Sequence, residues 1–292
     1  MDAIVDPDLS LRRKLRALAR PVDGADFLAR RVVDDLEERL STISRRFGDA
    51  AIIAPPGGEA AERLFASGKI DRLTEIALHP RLAKGADSPA IVNETLPFAP
   101  ASLDLVVSLL TLHEAADLPG QLIQMRRALR PDGLMLAAFP GADTLTELRE
   151  SLLAAETELS GGASPRVMPF ADVRDAGGLL QRAGFALPVA DLETVTVRYG
   201  SMFGLMRDLR GMGATNALLA RSRRPARRGL FLRAAEIYAE RFADPDGRIR
   251  ATFSIIWLSG WAPDASQQKP ARRGSANASL ADALKKADDG GE

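Results

Sequence analysis

Residues Leu103 to Phe139 constrain the fold more than any other stretch of the chain. Leu105-Val106-Val107-Ser108-Leu109-Leu110 and Leu134-Met135-Leu136-Ala137-Ala138 are short runs that are apolar without alternation. A strand of that kind is one covered by helices on both faces, as in a parallel α/β sheet. Between the runs, Pro119, Leu122, Met125, Ala128 and Leu129 recur at roughly helical spacing, with Arg126, Arg127 and Arg130 on the other side. Pro131-Asp132-Gly133 supplies a turn into the second run. The unit is one βαβ crossover, and it obliges the flanking segments to complete the same sheet.

They are suited to do so. Asp26 is placed to cap a helix running to about Phe47, with Phe27, Leu28, Val32, Val33, Leu36, Leu40 and Ile43 as its buried side. A strand is expected over Ala50 to Ala54, closed by Pro55-Pro56-Gly57-Gly58, then a helix over Glu59 to Ala66 and a strand near Leu73 to Leu78. Ile91 and Val92 read as a further short strand. After Phe139, Asp143 reads as the cap of a helix, with Glu147 as its capping partner, and Asp172 to Ala183 as another helix. Asp191 to Tyr199 alternates as an antiparallel strand near an edge would. Helices are expected over Met202 to Gly211 and Leu230 to Phe242, a tight turn at Asp244-Pro245-Asp246-Gly247, and a last strand over Ala251 to Trp261. Strands alternating with helices in this order imply a doubly wound sheet.

Composition narrows the functions open to such a chain. Its 292 residues carry 39 basic and 39 acidic side chains and no cysteine. Disulfides, thiolate metal sites and cysteine nucleophiles are therefore excluded, and a general polyanion binder is disfavoured. No histidine–carboxylate spacing recurs, so no metal site is expected. The start lacks the layout of a secretory signal, and no apolar run approaches the ~20 residues that span a bilayer. A cytoplasmic protein is expected. Residues 1–24 read as a polar, basic arm with an amphipathic pattern at Leu11, Leu15 and Leu18, residues 25–262 as the folded domain, and residues 263–292 as a disordered tail. The arginine run 221–228 reads as a solvated loop without aromatic platforms, so nucleic acid is not an expected partner.

The strings LPFAPASLDLVVSLLTLHEAADLPGQLIQMRRALRPDG, GADTLTELRESLLAAETELSGGASPRVMPFADVRDAGGLLQRAGF and MRDLRGMGATN resemble one branch of the class I S-adenosylmethionine-dependent methyltransferase superfamily. That branch includes a mitochondrial complex I assembly factor that hydroxylates an arginine, its bacterial relatives and, more distantly, the malonyl-carrier-protein methyltransferase of biotin synthesis. The resemblance implies a mostly parallel, seven-stranded, Rossmann-like sheet with a helical insertion at about 200–248, before the last strand. It implies S-adenosylmethionine as cofactor, and a protein substrate or assembling complex as partner. By the same resemblance, Gly57, Gly58, Glu94, Ser108 and His113 surround the cofactor, while Tyr199, Met202, Gly211, Gly213 and Asn216 belong to a substrate pocket or lid. No residue is assigned as catalytic.

The sequence departs from the family where the cofactor would be held. The acid that ends the first strand falls on Ile52, and the loop glycines fall on Ala54, Pro56 and Gly58. The acids after the second and third strands fall on Ala77 and Val92, unless a local slip puts Glu59, Glu75 or Glu94 in their place. The family's tryptophan after His113 is Glu114. His113 is open as a general base or as a partner of Asp117 that orders the loop, and Asp104 is expected to bind loop backbone. Two functions follow: a methyltransferase or arginine hydroxylase of this family, or a non-catalytic scaffold that keeps the fold and has lost the cofactor.

Overall fold

The computed structural model describes residues 3–85 and 88–268. One sheet of six strands forms the centre, in the order β2 (Ile70–Ile76), β1 (Phe47–Ile53), β3 (Leu103–Leu109), β4 (Leu129–Pro140), β6 (Ile249–Trp261) and β5 (Ala186–Tyr199). The first four are parallel neighbours, and β6 is antiparallel to both β4 and β5. The βαβ unit is present as expected, its helix being α4 (Leu118–Ala128). Asp117 starts that helix by accepting from the Gly120 N–H at 2.9 Å, a cap worth about 1 kcal/mol.

Alternate residues of each central strand enter opposite cores, which explains the apolar runs. Ala50, Ile52, Leu105, Val107, Leu134 and Leu136 pack on one side. There they meet α2 (Phe27–Ser41), α3 (Ala60–Ala66), α5 (Thr146–Ser160), α7 (Met202–Gly211) and α8 (Arg228–Phe242). Ala51, Ile53, Val106, Met135 and Ala137 pack on the other, against α4 and α6 (Val173–Arg182). The segment Pro7–Ala19 forms α1, which Asp6 caps through the Leu9 N–H with Pro7 at the first helical position.

Several expectations need correction. The sheet has six strands, not seven. In place of the expected third strand at Ile91 and Val92 there are two isolated bridges, Ala90 to Ala77 and Val92 to Thr95. Pro89 before this segment has no N–H to donate, and Asn93 and Glu94 after it both take left-handed conformations at φ 49° and 60°, which end the extended path. Phe47 is not helical but opens β1, fully buried. The turn at Pro131–Gly133 lies inside β4 as an irregularity, where the register jumps from Leu103↔Leu129 to Leu105↔Leu134.

Asp143 does not cap α5 with its side chain. Leu145 occupies that position, and no side-chain cap bond is made. Glu147 instead turns inward and accepts from the Thr252 N–H at 3.1 Å. Asp104 binds not loop backbone but its neighbouring strand, accepting from the Asp49 N–H of β1, and also from Arg130, each at 2.9 Å. It lies at the start of β3, the end of the strand away from the site. Of the expected tail, residues 264–268 fold back, with the Gln267 amide donating to the Ala262 carbonyl at 2.8 Å. Residues 269–292 lie outside the described residues.

Candidate functional site

Open parallel sheets bind ligands beyond the carboxyl ends of their strands, at the point where strand order reverses. Here that point lies after β1 and β3. Beyond β1, Ala54-Pro55-Pro56-Gly57-Gly58 leads into α3. The two prolines remove N–H donors that a phosphate- or nucleoside-type loop would use. Gly57 has φ +83°, and a β-carbon on it would lie 2.8 Å from Leu18 Cδ2. The end of α1 therefore sits directly on this loop.

Between the loop and the end of β2 is a cavity of about 40 Å³, bordered by Ala54, Pro56, Glu75, Ala77 and Lys84. That is room for a few waters, whereas small-molecule sites run to about 300 Å³ or more. Ile52 does not border it: the side chain is fully buried in the α2–α5 core. Ala77 contributes no polar side chain, and Val92 is exposed. Among the described residues that border it, the one carboxylate is Glu75, near the end of β2 and two residues before Ala77. Its Oε2 lies 2.8 Å from Lys84 Nζ. The described residues in this arrangement do not fit S-adenosylmethionine: the space is small, and the one acid among them is already paired.

The other expected cofactor residues differ in how far they are engaged. Ser108 Oγ and Thr111 Oγ1 bond each other at 2.7 Å inside the protein. The Glu94 backbone carbonyl accepts from Gln121 at 2.6 Å and Gln124 at 2.9 Å, while the residue is exposed and its carboxylate lies 3.4 Å from Gln121 Nε2. His113 does not bond Asp117, which is engaged in capping α4. Its Nδ1 is buried with no hydrogen-bond partner among the described residues, and its ring packs 6.0 Å from Phe170. Burial pushes the imidazole pKa down to about 4, Lys14 adding to the effect and Glu114 opposing it. It is a neutral ring at pH 7.

Glu114 stands where the family has tryptophan and is the link that sequence reasoning missed. Lys14 of α1 reaches one of its carboxylate oxygens at 2.6 Å, and Ser10 donates to the other at 2.7 Å. Burial pushes the Glu114 carboxyl up, but Lys14, His113 and the Ser10 hydroxyl bring it below the ordinary range. The MRDLRGMGATN string closes over the same helix. A β-carbon on Gly213, at φ +72°, would lie 3.2 Å from Lys14 Cα, and one on Gly211 would lie 2.7 Å from Ala25. Both glycines are explained by this close approach.

The remaining insertion residues expected at a pocket or lid are engaged in packing and loop bonds. Asn216 donates to the Pro165 carbonyl at 2.9 Å and accepts from the Leu218 N–H at 3.0 Å. Met202 is buried, as is Tyr199, whose hydroxyl has no partner among the described residues. Burial, then the Asp208 carboxylate, push that phenol's pKa up. The signals for the lid were present in the sequence: Asp6-Pro7 is a helix start, and Leu11, Leu15 and Leu18 mark one face.

Lys14→Met leaves Glu114 buried without its cation, and such losses are costly. We expect a loss of about 2 kcal/mol, read from the urea midpoint. Adding Glu114→Leu should restore most of it, because a matched apolar pair need not be desolvated as ions. If the double variant is no better than the single one, the two side chains do not act as a pair.

The strand order, with a single reversed strand between β4 and β5, is that of a class I methyltransferase-like domain. Residues 57–137 match the family described as "Methyltransferase domain" (Methyltransf_11). The Bacillus halodurans protein BH2331 has the same fold, with a TM-score of 0.53 at 14% identity over 79% of this chain and 100% of that one. The mitochondrial arginine-hydroxylase NDUFAF5 of Danio rerio is 40% identical over 95% of this chain and 89% of its own length. A malonyl-[acyl-carrier protein] O-methyltransferase of Laribacter hongkongensis is 32% identical over 89% of this chain and 91% of its own.

The chain belongs to the methyltransferase-domain family that contains the arginine-hydroxylase NDUFAF5. The relatives of that name from fish, mouse and human are mitochondrial proteins, so the expectation of a cytoplasmic protein does not stand. Among the described residues no helix is long and apolar enough to cross a membrane.

Proposed function

We propose that this chain is a family member that works by engaging a protein partner in the assembly of a respiratory-type complex, and does not turn over S-adenosylmethionine. The observation that carries this is the cavity beyond β1 and β2. It measures about 40 Å³, is walled by Ala54, Pro56 and Ala77, and among the described residues its one acid, Glu75, is held by Lys84. The role on a protein partner follows from kinship to proteins named arginine-hydroxylase.

A second function, S-adenosylmethionine-dependent transfer to a protein or small molecule, is favoured by two facts. The methyltransferase-domain match begins at residue 57, inside the loop, and Glu75 stands on the cavity wall two residues from the position of the family's ribose-binding acid. Filling the cavity separates the two. Ala77→Phe would occupy the space a nucleoside needs without touching the lid. In a host lacking the chain, the variant should restore assembled NADH:quinone oxidoreductase, scored in membranes on native gels, as well as the wild type does. A folded Ala77→Phe protein that fails to restore it would contradict the proposal and favour a bound cofactor.

A further inference from the structure

The arginines of α1 and of the 221–228 run are far apart in sequence, and the fold brings them together. Val5 pairs with Leu218 in an antiparallel bridge, and the flanking N–H groups of Asp6 and Leu219 donate to Ala217 and Ile4. This ties the entry to α1 to the start of the run. Arg221 then reaches Asp6 at 3.0 Å, with Arg223 at 3.9 Å from the same carboxylate.

On α1 itself, the inward face carries Ser10, Leu11 and Lys14. Arg12, Arg13 and Arg16 fall together on another face by helical spacing, and Arg20 follows at the end of the helix. Arg13 feels the charges of both Arg221 and Arg16, so the two sets of arginines adjoin. Asp6 is the carboxylate they share.

Several arginines elsewhere are held by acids: Arg39, Arg63, Arg130, Arg166, Arg198 and Arg233 each lie within 3.0 Å of a carboxylate, while among the described residues others such as Arg126, Arg174 and Arg182 stand singly without one. Among the described residues, Arg12, Arg13, Arg16 and Arg20 make no such pair. Arg13 Nη1 is moreover buried with no acceptor among the described residues. Beside the arginines, Ile4, Leu18 and Leu219 are 52%, 42% and 41% exposed. The surface is thus basic with an apolar border.

We propose that the outer face of α1, with Arg221, Arg223, Ile4 and Leu219, is a docking surface for an acidic, amphipathic segment of a partner protein. Carboxylates on such a segment pair with the guanidinium groups in bidentate fashion, and its apolar side covers Ile4 and Leu219. A nucleic acid fits less well, because no aromatic side chain stands among the arginines to stack on bases. This surface gives the partner of the proposed function a chemistry and rests on that proposal for its biological setting. Peptide binding is measured on the isolated chain, so its outcome is independent of the complementation result.

The test is fluorescence anisotropy on the full chain with a 20-residue helical peptide carrying Glu on one face and Leu on the other. A peptide with every Glu replaced by Lys, a polyglutamate of equal charge and a 20-nucleotide poly-U RNA serve as comparators. The acidic peptide should bind best. Arg12→Glu, Arg16→Glu and Arg223→Glu together, all at exposed positions, should weaken it at least tenfold. Arg174→Glu, an exposed position on α6, should leave it unchanged. Ile4→Ser with Leu219→Ser should weaken the amphipathic peptide more than polyglutamate. Acidic and Lys peptides binding alike, or RNA binding more tightly and losing affinity by the same factor, would overturn the assignment.

Discussion

Ile52→Asp should unfold most of the protein at temperatures the wild type withstands, although it restores the family's residue at the end of the first strand. Ile52 is fully buried, pairs in register with Val107 and Glu75, and faces the core formed with α2 and α5. Removing its side chain forfeits burial and leaves a cavity, and a carboxylate placed there has no partner. Together these should cost about 4 kcal/mol or more, against a total stability of about 5–15 kcal/mol for a domain. The melting temperature should fall by about 10 °C or more. Ile52→Val should cost only about 1 kcal/mol. An Ile52→Asp protein that melts like the wild type would mean that this side chain reaches the site, and that the strand is built to carry an acid.

Acidification supplies the second large effect. His113 has a folded pKa of about 4, below its ordinary value of about 6.5. Between those two values the unfolded chain binds a proton that the native state refuses, so stability is present above about pH 6.5 and is lost as pH falls toward 4. The full shift corresponds to about 3 kcal/mol. Glu114 adds to this at lower pH. Its depressed pKa means that its contribution exists above the unfolded carboxylate range and disappears as pH falls through the folded value. Urea midpoints of the wild type and of His113→Gln, compared at pH 7 and pH 4.5, isolate the imidazole. The wild type should lose distinctly more stability over that interval. Equal losses would mean that His113 accepts a proton in place and is not held neutral by its surroundings.

Both effects lie at the carboxyl end of the sheet, where Ile52 and the His113 ring are packed inside the protein, and packing governed how much the sequence disclosed. The βαβ unit from Leu103 to Phe139 was legible because a strand buried on both faces has to be apolar throughout. The insertion helices and the edge strand β5 were legible from their periodicity. The third strand was misread, since Ile91 and Val92 have the right side chains but Pro89 and the left-handed Asn93 and Glu94 deny them a ladder.

The seat of α1 on the loop after β3 was not legible, although the helix itself was signalled. It joins residues about 100 positions apart, such as Lys14 with Glu114, and Glu114 alone read as a lost tryptophan, not as an ion-pair partner. Gly211 and Gly213 could be recognised as necessary, but what approached them could not. The role of Glu75 was equally hidden, because only the fold shows that it borders the cavity and that Lys84 holds it.

The central claim is that the described residues beyond β1 and β2 leave little room for S-adenosylmethionine, and that Glu75, the one acid among those bordering the cavity, is held by Lys84. Isothermal titration of S-adenosylmethionine and S-adenosylhomocysteine into the full chain tests it directly. Three missing carboxylate bonds at about 1.5 kcal/mol each shift a micromolar site by about three decades. The account therefore predicts no saturable heat below millimolar ligand. Saturable one-to-one binding of either compound at micromolar concentration would contradict it.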